Sequence, residues 1–254
     1  MSELWEKELW MNPNIMYLFN SEIIEYDIKE AGYSIVREFN QLDEKKLNKL
    51  SKLSKDSRHK QIGVYMRDDH LFAKEHKKGF QEARRRFYSE NSLDEDNILS
   101  IKKDAIFVMG HVDTTQVGDY IDFRNKNRYS SYIRLPNKIE LYYSDGNIDV
   151  KGISKSTVDL HDSGIMEFLK NIFHVIESAD KPIQLRMIMR YINAYKFREL
   201  PVSFYREFNA DSKIVLLNPD ENIAYDDYWE DRKDELSIHY NYYNVFIPIL
   251  KMII

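Results

Sequence analysis

The chain of 254 residues contains no cysteine, which excludes a disulfide framework, a thiolate zinc site and a cysteine nucleophile. It also lacks a basic excess. With 37 Lys and Arg against 42 Asp and Glu the net charge is -5, so any nucleic-acid surface has to be local. No apolar run reaches the length of a membrane span, and the opening residues Met-Ser-Glu-Leu-Trp-Glu carry acids where a signal peptide carries bases. A cytoplasmic protein is expected. Internal repeats and low-complexity linkers are absent as well. What the chain does have is core material, 43% hydrophobic and 13% aromatic, enough for one ordinary domain or a core with a smaller lobe.

Two carboxylates stand out because they sit in β-branched surroundings, where an unpaired charge is costly to bury. Asp104 falls within Asn97 to Val108, read as one apolar strand, and Asp27 within Glu22 to Ile28, an alternating strand. The run Ile15 to Phe19 precedes the second of these across Asn20-Ser21, which predicts a hairpin or two short strands. Lys29 to Asn40 follows with Ala31, Ile35 and Phe39 on one helical face, so Asp27 lies where strand gives way to helix. Asp43 to Asn91 reads as two helices, one with Leu42, Leu47, Leu50 and Leu53, the other from Asp69 to Phe87 with Lys74, Lys77, Lys78, Arg84, Arg85 and Arg86. A solvated face is the plain account of that charge run; phosphate contact by Arg84, Arg85 and Arg86 is the functional one.

Beyond Asp104, short alternating runs at Ile121 to Arg124, Tyr129 to Leu135, Ile139 to Tyr143 and Ile148 to Ile153 predict an antiparallel sheet continuous with the Asp27 and Asp104 strands. Ser144-Asp145-Gly146-Asn147 is a hairpin signal within it. After Ser154 the pattern turns helical, at Val158 to Ser178 and Ile183 to Arg198, followed by an acidic stretch from Asn218 to Glu235 and an apolar close from Tyr240 to Ile254. The expected fold is α+β: a mixed or antiparallel sheet covered by helices over 1–154, and a helical lobe with an acidic tail over 155–254.

The stretch Asp27-Ile28-Lys29-Glu30-Ala31-Gly32-Tyr33-Ser34-Ile35 resembles the first palm motif of family B DNA polymerases, Asp-Phe-x-Ser-Leu-Tyr-Pro-Ser-Ile. Asp104-Ala105-Ile106-Phe107-Val108 is similar to the end of the second, Asp-Thr-Asp-Ser-Ile-Phe-Val. Lys126-Asn127-Arg128-Tyr129, then Gly146, then Asp149-Val150-Lys151-Gly152-Ile153 resembles the Lys-Lys-Arg-Tyr segment, hairpin and Lys-Gly-Ile/Leu of those enzymes, in the same order. The chain departs at Lys102, which takes the place of the first aspartate of Asp-Thr-Asp, and at Gly32, which takes the place of the tyrosine that excludes ribonucleotides. A Lys-x-x-x-Asn-Ser-x-Tyr-Gly fingers motif is also missing. The resemblance covers roughly Ile23 to Ile153 and implies a reduced palm, with a helical lobe where the thumb stands. The lysine-rich character and the Ser100 to Phe107 strand also resemble phage-encoded proteins.

The resemblance implies magnesium- or manganese-dependent nucleotidyl transfer from a nucleoside triphosphate onto a DNA or RNA 3′ end. Asp27 and Asp104 would hold the metals, with Glu25, on the same strand face as Asp27, as a further ligand. Lys126, Tyr129, Lys151 and, less selectively, Arg128 carry over as backbone-phosphate contacts. A partner protein supplying the missing elements is compatible with this reading.

Two other classes compete. Glu140, Asp149 and Lys151 across the Ser144 to Asn147 turn resemble the Asp…(Asp/Glu)-x-Lys core of metal-dependent nucleases. A catalytically inert palm derivative that binds nucleic acid or protein is the third. Val64-Tyr65-Met66-Arg67-Asp68-Asp69 approximates a Tyr-x-Asp-Asp signature with one residue too many, and Asp68 and Asp69 fit the acids of a helix N-terminus better. His111, Asp113, Asp119 and Asp122 show no metal spacing, and Tyr205 to Asn209 is expected to pack.

Overall fold

The computed structural model describes residues 3–210 and 225–254. It is α+β, with two antiparallel sheets among the described residues, and it divides into two compact units: Met1–Asn14 with Glu22–Arg128, and Ile15–Ser21 with Tyr129–Ile254.

In the first unit the sheet contains β1 (Leu9–Met11), β3 (Ile23–Ile28), β4 (Ile98–Lys102), β5 (Ala105–Met109) and β6 (Phe123–Tyr129), in the order β1-β4-β5-β3-β6. β3 is buried along its whole length. Its period-two alternation divides it cleanly: Ile24, Tyr26 and Ile28 join a core with Ala83, Phe87 and Phe123, while Glu25 and Asp27 point to the opposite face. The ring of Phe87 stacks 4.2 Å from that of Phe123 and lies 5.6 Å from that of Tyr26.

Between β3 and β4 the chain inserts α1 (Ala31–Glu38), α2 (Glu44–Ser51), α3 (Lys55–Asp68) and α4 (His70–Glu90). Asp43, Ser54 and Asp69 cap α2, α3 and α4, each accepting from a backbone N–H of the first turn. These helices share a core of Val36, Leu50, Ile62 and Phe72. Three helices therefore occupy Asp43 to Asn91 where two were expected, because α3 buries only Ile62 and shows little apolar periodicity. Asp69 is the N-cap of α4 as expected, while Asp68 closes α3.

A tight passage in this unit lies at Gly79 on α4. A Cβ there would come within 2.6 Å of Ile35 Cγ2 and 2.8 Å of Gln41 Nε2. Gly79→Ala is expected to destabilise the protein by about 1–3 kcal/mol through overpacking, despite the better helix propensity of alanine, as measured by urea denaturation.

The second unit has the sheet β2 (Tyr17–Leu18), β7 (Ser131–Arg134), β8 (Glu140–Ser144) and β9 (Asn147–Lys151), in that order. One face of this sheet, with Ile133, Leu141 and Tyr143, packs on α6 (Glu167–Ser178) and α7 (Lys181–Lys196). The ring of Tyr143 stacks on Phe173 at 4.9 Å. α5 (Lys155–Leu160) and a π-turn at Asp162–Met166 lead into α6, and the apolar close forms helix over His239–Asn241, Tyr242–Phe246 and Ile247–Ile253.

Several expectations need correction here. The Asn97 to Val108 run is not one strand; it folds as the hairpin β4–β5 with Lys103 and Asp104 in its two-residue turn. Of the hairpin or two short strands expected there, the structure has two separate strands: β2 pairs with β7 in the other sheet and β3 with β5. The sheet is not continuous, since residues 129–154 group with the C-terminal helices whose apolar faces they cover. Of the acidic stretch from Asn218, residues 218–224 lie outside the described residues, and α8 (Tyr225–Glu230) is helical. Tyr205 and Phe208 are buried in the second core, as the packing account expects.

Candidate functional site: a carboxylate pair beside a cavity

Asp27 is the last residue but one of β3, and its register partner on β5 is Ala105, the residue after Asp104. The hairpin turn thus delivers Asp104 to the side of Asp27. Lys103 takes φ of 59°, which lets a two-residue loop close on the Lys102–Ala105 pair. Its N–H donates to the Glu8 carbonyl at 2.7 Å, and its carbonyl accepts from Arg84 Nη1 at 3.1 Å. Arg84 is almost wholly buried and also donates through Nε to the Trp5 carbonyl at 2.8 Å. The guanidinium of α4 therefore pins the turn that carries Asp104.

The two carboxyls interact. Burial raises the pKa of Asp104, and the charge of Asp27 and a hydrogen bond between the two side chains raise it further. Asp27 has Arg124 and Lys126 at 3.5 Å each. Asp104 forms no ion pair with the described residues. Negative charge here is only half answered by the protein.

Both aspartates line a cavity of about 740 Å³. Its α1 wall holds Gly32 and Tyr33, its α3 wall Arg58, His59, Lys60 and Met66, and its α4 wall His76, Phe80 and Arg84. Arg58 lies over the Tyr33 ring at 4.6 Å and pairs with Glu30 at 3.1 Å. Lys55, His59 and Lys60 are exposed along the same helix. These α3 cations were not picked out in the sequence; the spacing Lys55, Arg58-His59, Ile62 on one helical face was the available signal.

The remaining candidates fall elsewhere. Glu25 does not line the cavity, and its buried carboxylate accepts from Lys126 Nζ at 3.1 Å and Asn127 Nδ2 at 2.7 Å. Burial works against the Lys126 charge, but the hydrogen bond to Glu25 and the charges of Glu25 and Asp27 outweigh it and raise its pKa. Lys126 is thus the internal counter-charge of the β3 carboxylates. Arg85 pairs with Glu82 at 2.7 Å, and Arg86 with Glu38 at 2.6 Å and Glu82 at 3.1 Å, away from the cavity. Arg128 meets Glu22 at 3.5 Å.

In the second unit, Tyr129 donates to Asp149 at 2.7 Å and Lys151 pairs with that same carboxylate at 2.8 Å. Glu140 is fully buried and accepts from the hydroxyls of Tyr132 at 3.1 Å and Tyr142 at 3.2 Å. Glu140, Asp149 and Lys151 do share a sheet face, because Glu140 is in register with Lys151 and Tyr142 with Asp149. Gly152, at φ of 98°, gives close approach to the Lys138 carbonyl, 3.0 Å from where a Cβ would stand.

No group of three or more His, Cys, Asp or Glu side chains suited to a metal ion occurs among the described residues. Two oxygen-donor carboxylates are nonetheless the usual protein share for magnesium, which completes its sphere with water and substrate phosphate. The donor set fits a hard divalent cation.

Two buried histidines set an acid limit on the fold. Burial lowers His76 to about 4, and burial with the nearby Arg206 charge lowers His161 to about 4. Both are depressed below the unfolded value of about 6.5, so the stability they contribute is complete above that pH and is lost as pH falls toward 4. The melting temperature is expected to drop between pH 6.5 and 4, and His161→Phe, edge-on to Phe208, should flatten that drop.

An α+β chain with a hairpin-turn carboxylate set beside a strand-end carboxylate is the class this geometry defines. Within it, the chain belongs to the family described as Bacteriophage PBS1 gene 130 protein, whose model matches residues 1–254. The phage character read from the sequence agrees with that family. No curated protein matches the chain. No helix among the described residues is long and apolar enough to cross a membrane.

Proposed function

We propose that the protein is a magnesium-dependent nucleotidyl transferase that adds nucleotides to the 3′ end of a nucleic acid, with Asp27 and Asp104 as its metal-holding pair. One observation carries the reading: Asp104 in a pinned hairpin turn meets Asp27 beside a cavity whose α3 wall carries Lys55, Arg58 and Lys60 together with Asp56. Half-compensated carboxylates on one side and exposed cations on the other suit a substrate that brings phosphate and a divalent ion together. The bound cation would neutralise charge on the attacking and leaving oxygens.

The chain's own part is positional. Arg84 holds the Asp104 turn, and Lys126 and Arg124 of β6 pair with Asp27. Lys55 and Lys60 on α3 would meet triphosphate oxygens, with Arg58 beside them paired to Glu30, and Tyr33 and Met66 supply apolar wall. The 3′ hydroxyl oxygen bonds to the α-phosphorus as the bond to pyrophosphate breaks, and the hydroxyl proton leaves to water. The nuclease alternative is less favoured because Glu140 is engaged by two tyrosines and Asp149 by Tyr129 and Lys151. Labelled primer–template incubated with protein, magnesium and all four nucleoside triphosphates should lengthen; a primer that only shortens would favour the nuclease instead.

A further inference from the structure

His76 is the one imidazole that both lines the cavity and is buried, 3% exposed. Its tautomer follows from its neighbours. Gln41 Nε2 donates to the Glu75 carbonyl at 2.8 Å, so Gln41 Oε1 is the atom facing His76 Nδ1 at 2.9 Å, and an amide oxygen can only accept. Nδ1 therefore carries the proton, and Nε2 presents a bare lone pair. Phe72 stacks on the ring at 5.5 Å and Phe80 meets it edge-on at 5.3 Å, which fixes its plane.

The Nε2 lone pair looks toward Gly32. A Cβ at Gly32 would stand in ordinary contact 3.7 Å from Nε2 and 3.7 Å from Ile62 Cδ1, so the glycine leaves room for about one atom beside the acceptor. Nε2 has no hydrogen-bond partner among the described residues. The acceptor opens on the cavity, where a bound donor can reach it, and a site that hydrogen-bonds a substrate hydroxyl rejects an analogue that lacks the donor. Aspartate carboxylates, the α3 cations and this acceptor line the same cavity, which places a hydroxyl-sized recess within it.

We propose that His76 Nε2, with the space left by Gly32, accepts a hydrogen bond from the sugar 2′-hydroxyl of the bound nucleotide, which makes the substrate a ribonucleoside triphosphate. This rests on the nucleotidyl-transfer reading and specifies the substrate of that site. His76 acts as a specificity-determining residue. The test is calorimetric titration of the whole chain, in magnesium, with ATP, GTP, CTP and UTP and with the 2′-deoxy form of each. The wild type is expected to bind at least one ribonucleotide about tenfold or more tightly than its deoxy partner. In His76→Phe, which fills the slot between Phe72 and Phe80 without an acceptor, that ratio should fall to within about twofold. Gly32→Val, which leaves His76 intact and closes the recess from α1, should also lower it and guards against a folding defect in the first variant. Equal affinity for ribo and deoxy forms in the wild type, or a preference that survives both substitutions, would overturn the hydroxyl subsite while leaving nucleotide transfer standing. Absence of binding by all eight nucleotides would overturn both.

Discussion

Asp104→Asn is expected to lower nucleotide transfer by about a thousandfold, or about 4 kcal/mol of barrier, and at the same time to raise the melting temperature. The two effects have one cause. Asp104 stands beside Asp27 in a partly buried turn, and burial, the Asp27 charge and their shared hydrogen bond, which needs a proton on one of the two carboxyls, all favour its protonated form. Its folded pKa lies above its unfolded one, so the folded state gains from the proton at low pH, and that gain is lost as pH rises through the raised value. Above that raised value, with both carboxyls ionised, the pair costs stability. An amide keeps the hydrogen bond and removes the repulsion, so a gain of about 1 kcal/mol should appear as roughly 2–4 °C in a chain of this size. Scanning calorimetry at pH 7.5 without divalent ions checks it. Added magnesium should stabilise the wild type and not the variant, because only the wild type offers both carboxylates.

Arg84→Met is expected to be the most destabilising single change near the site. It removes the donors to the Trp5 and Lys103 carbonyls, two part-buried hydrogen bonds made by a fully buried side chain, at about 3 kcal/mol. Against a total of about 5–15 kcal/mol this is a large share. It should also lower transfer in the protein that remains folded, since the Asp104 turn loses its tether. Arg84→Lys should recover little, because one ammonium cannot span two carbonyls as the guanidinium fork does. Arg85→Ala is the contrast: its solvent-exposed pair with Glu82 is screened by water, and neither stability nor transfer should change much. Urea denaturation and the transfer assay on the same preparations separate the two consequences.

The sequence revealed the strand–helix junction at Asp27 because alternation stops and a 3.6-residue pattern begins within three residues. The β8–β9 turn was equally visible, since Asp145 and Gly146 take positive φ, as residues of those types readily do. The turn at Lys103-Asp104 was hidden. Lysine is no signal for φ of 59°, and both flanks are apolar, so the run read as one strand. That mistake concealed the feature that matters most: a hairpin tip, not a strand interior, presents Asp104.

The separate sheets were also illegible, because the pairing of Tyr17 with Ile133 joins residues far apart in the chain and leaves no local trace. The basic run at Arg84 to Arg86 drew notice for its charge, yet the three side chains serve as a tether and two surface pairs. Lys55, Arg58 and Lys60 line the cavity from α3, where weak apolar periodicity hid the helix itself.

The most direct measurement is extension of a labelled primer–template in magnesium by the wild type, Asp27→Ala, Asp104→Ala and Asp149→Ala. Lengthening by the wild type and Asp149→Ala, abolished in Asp27→Ala and Asp104→Ala, is the expected result. Primer shortening lost only in Asp149→Ala, or a primer left unchanged by all four proteins, would contradict a catalytic role for the Asp27–Asp104 pair.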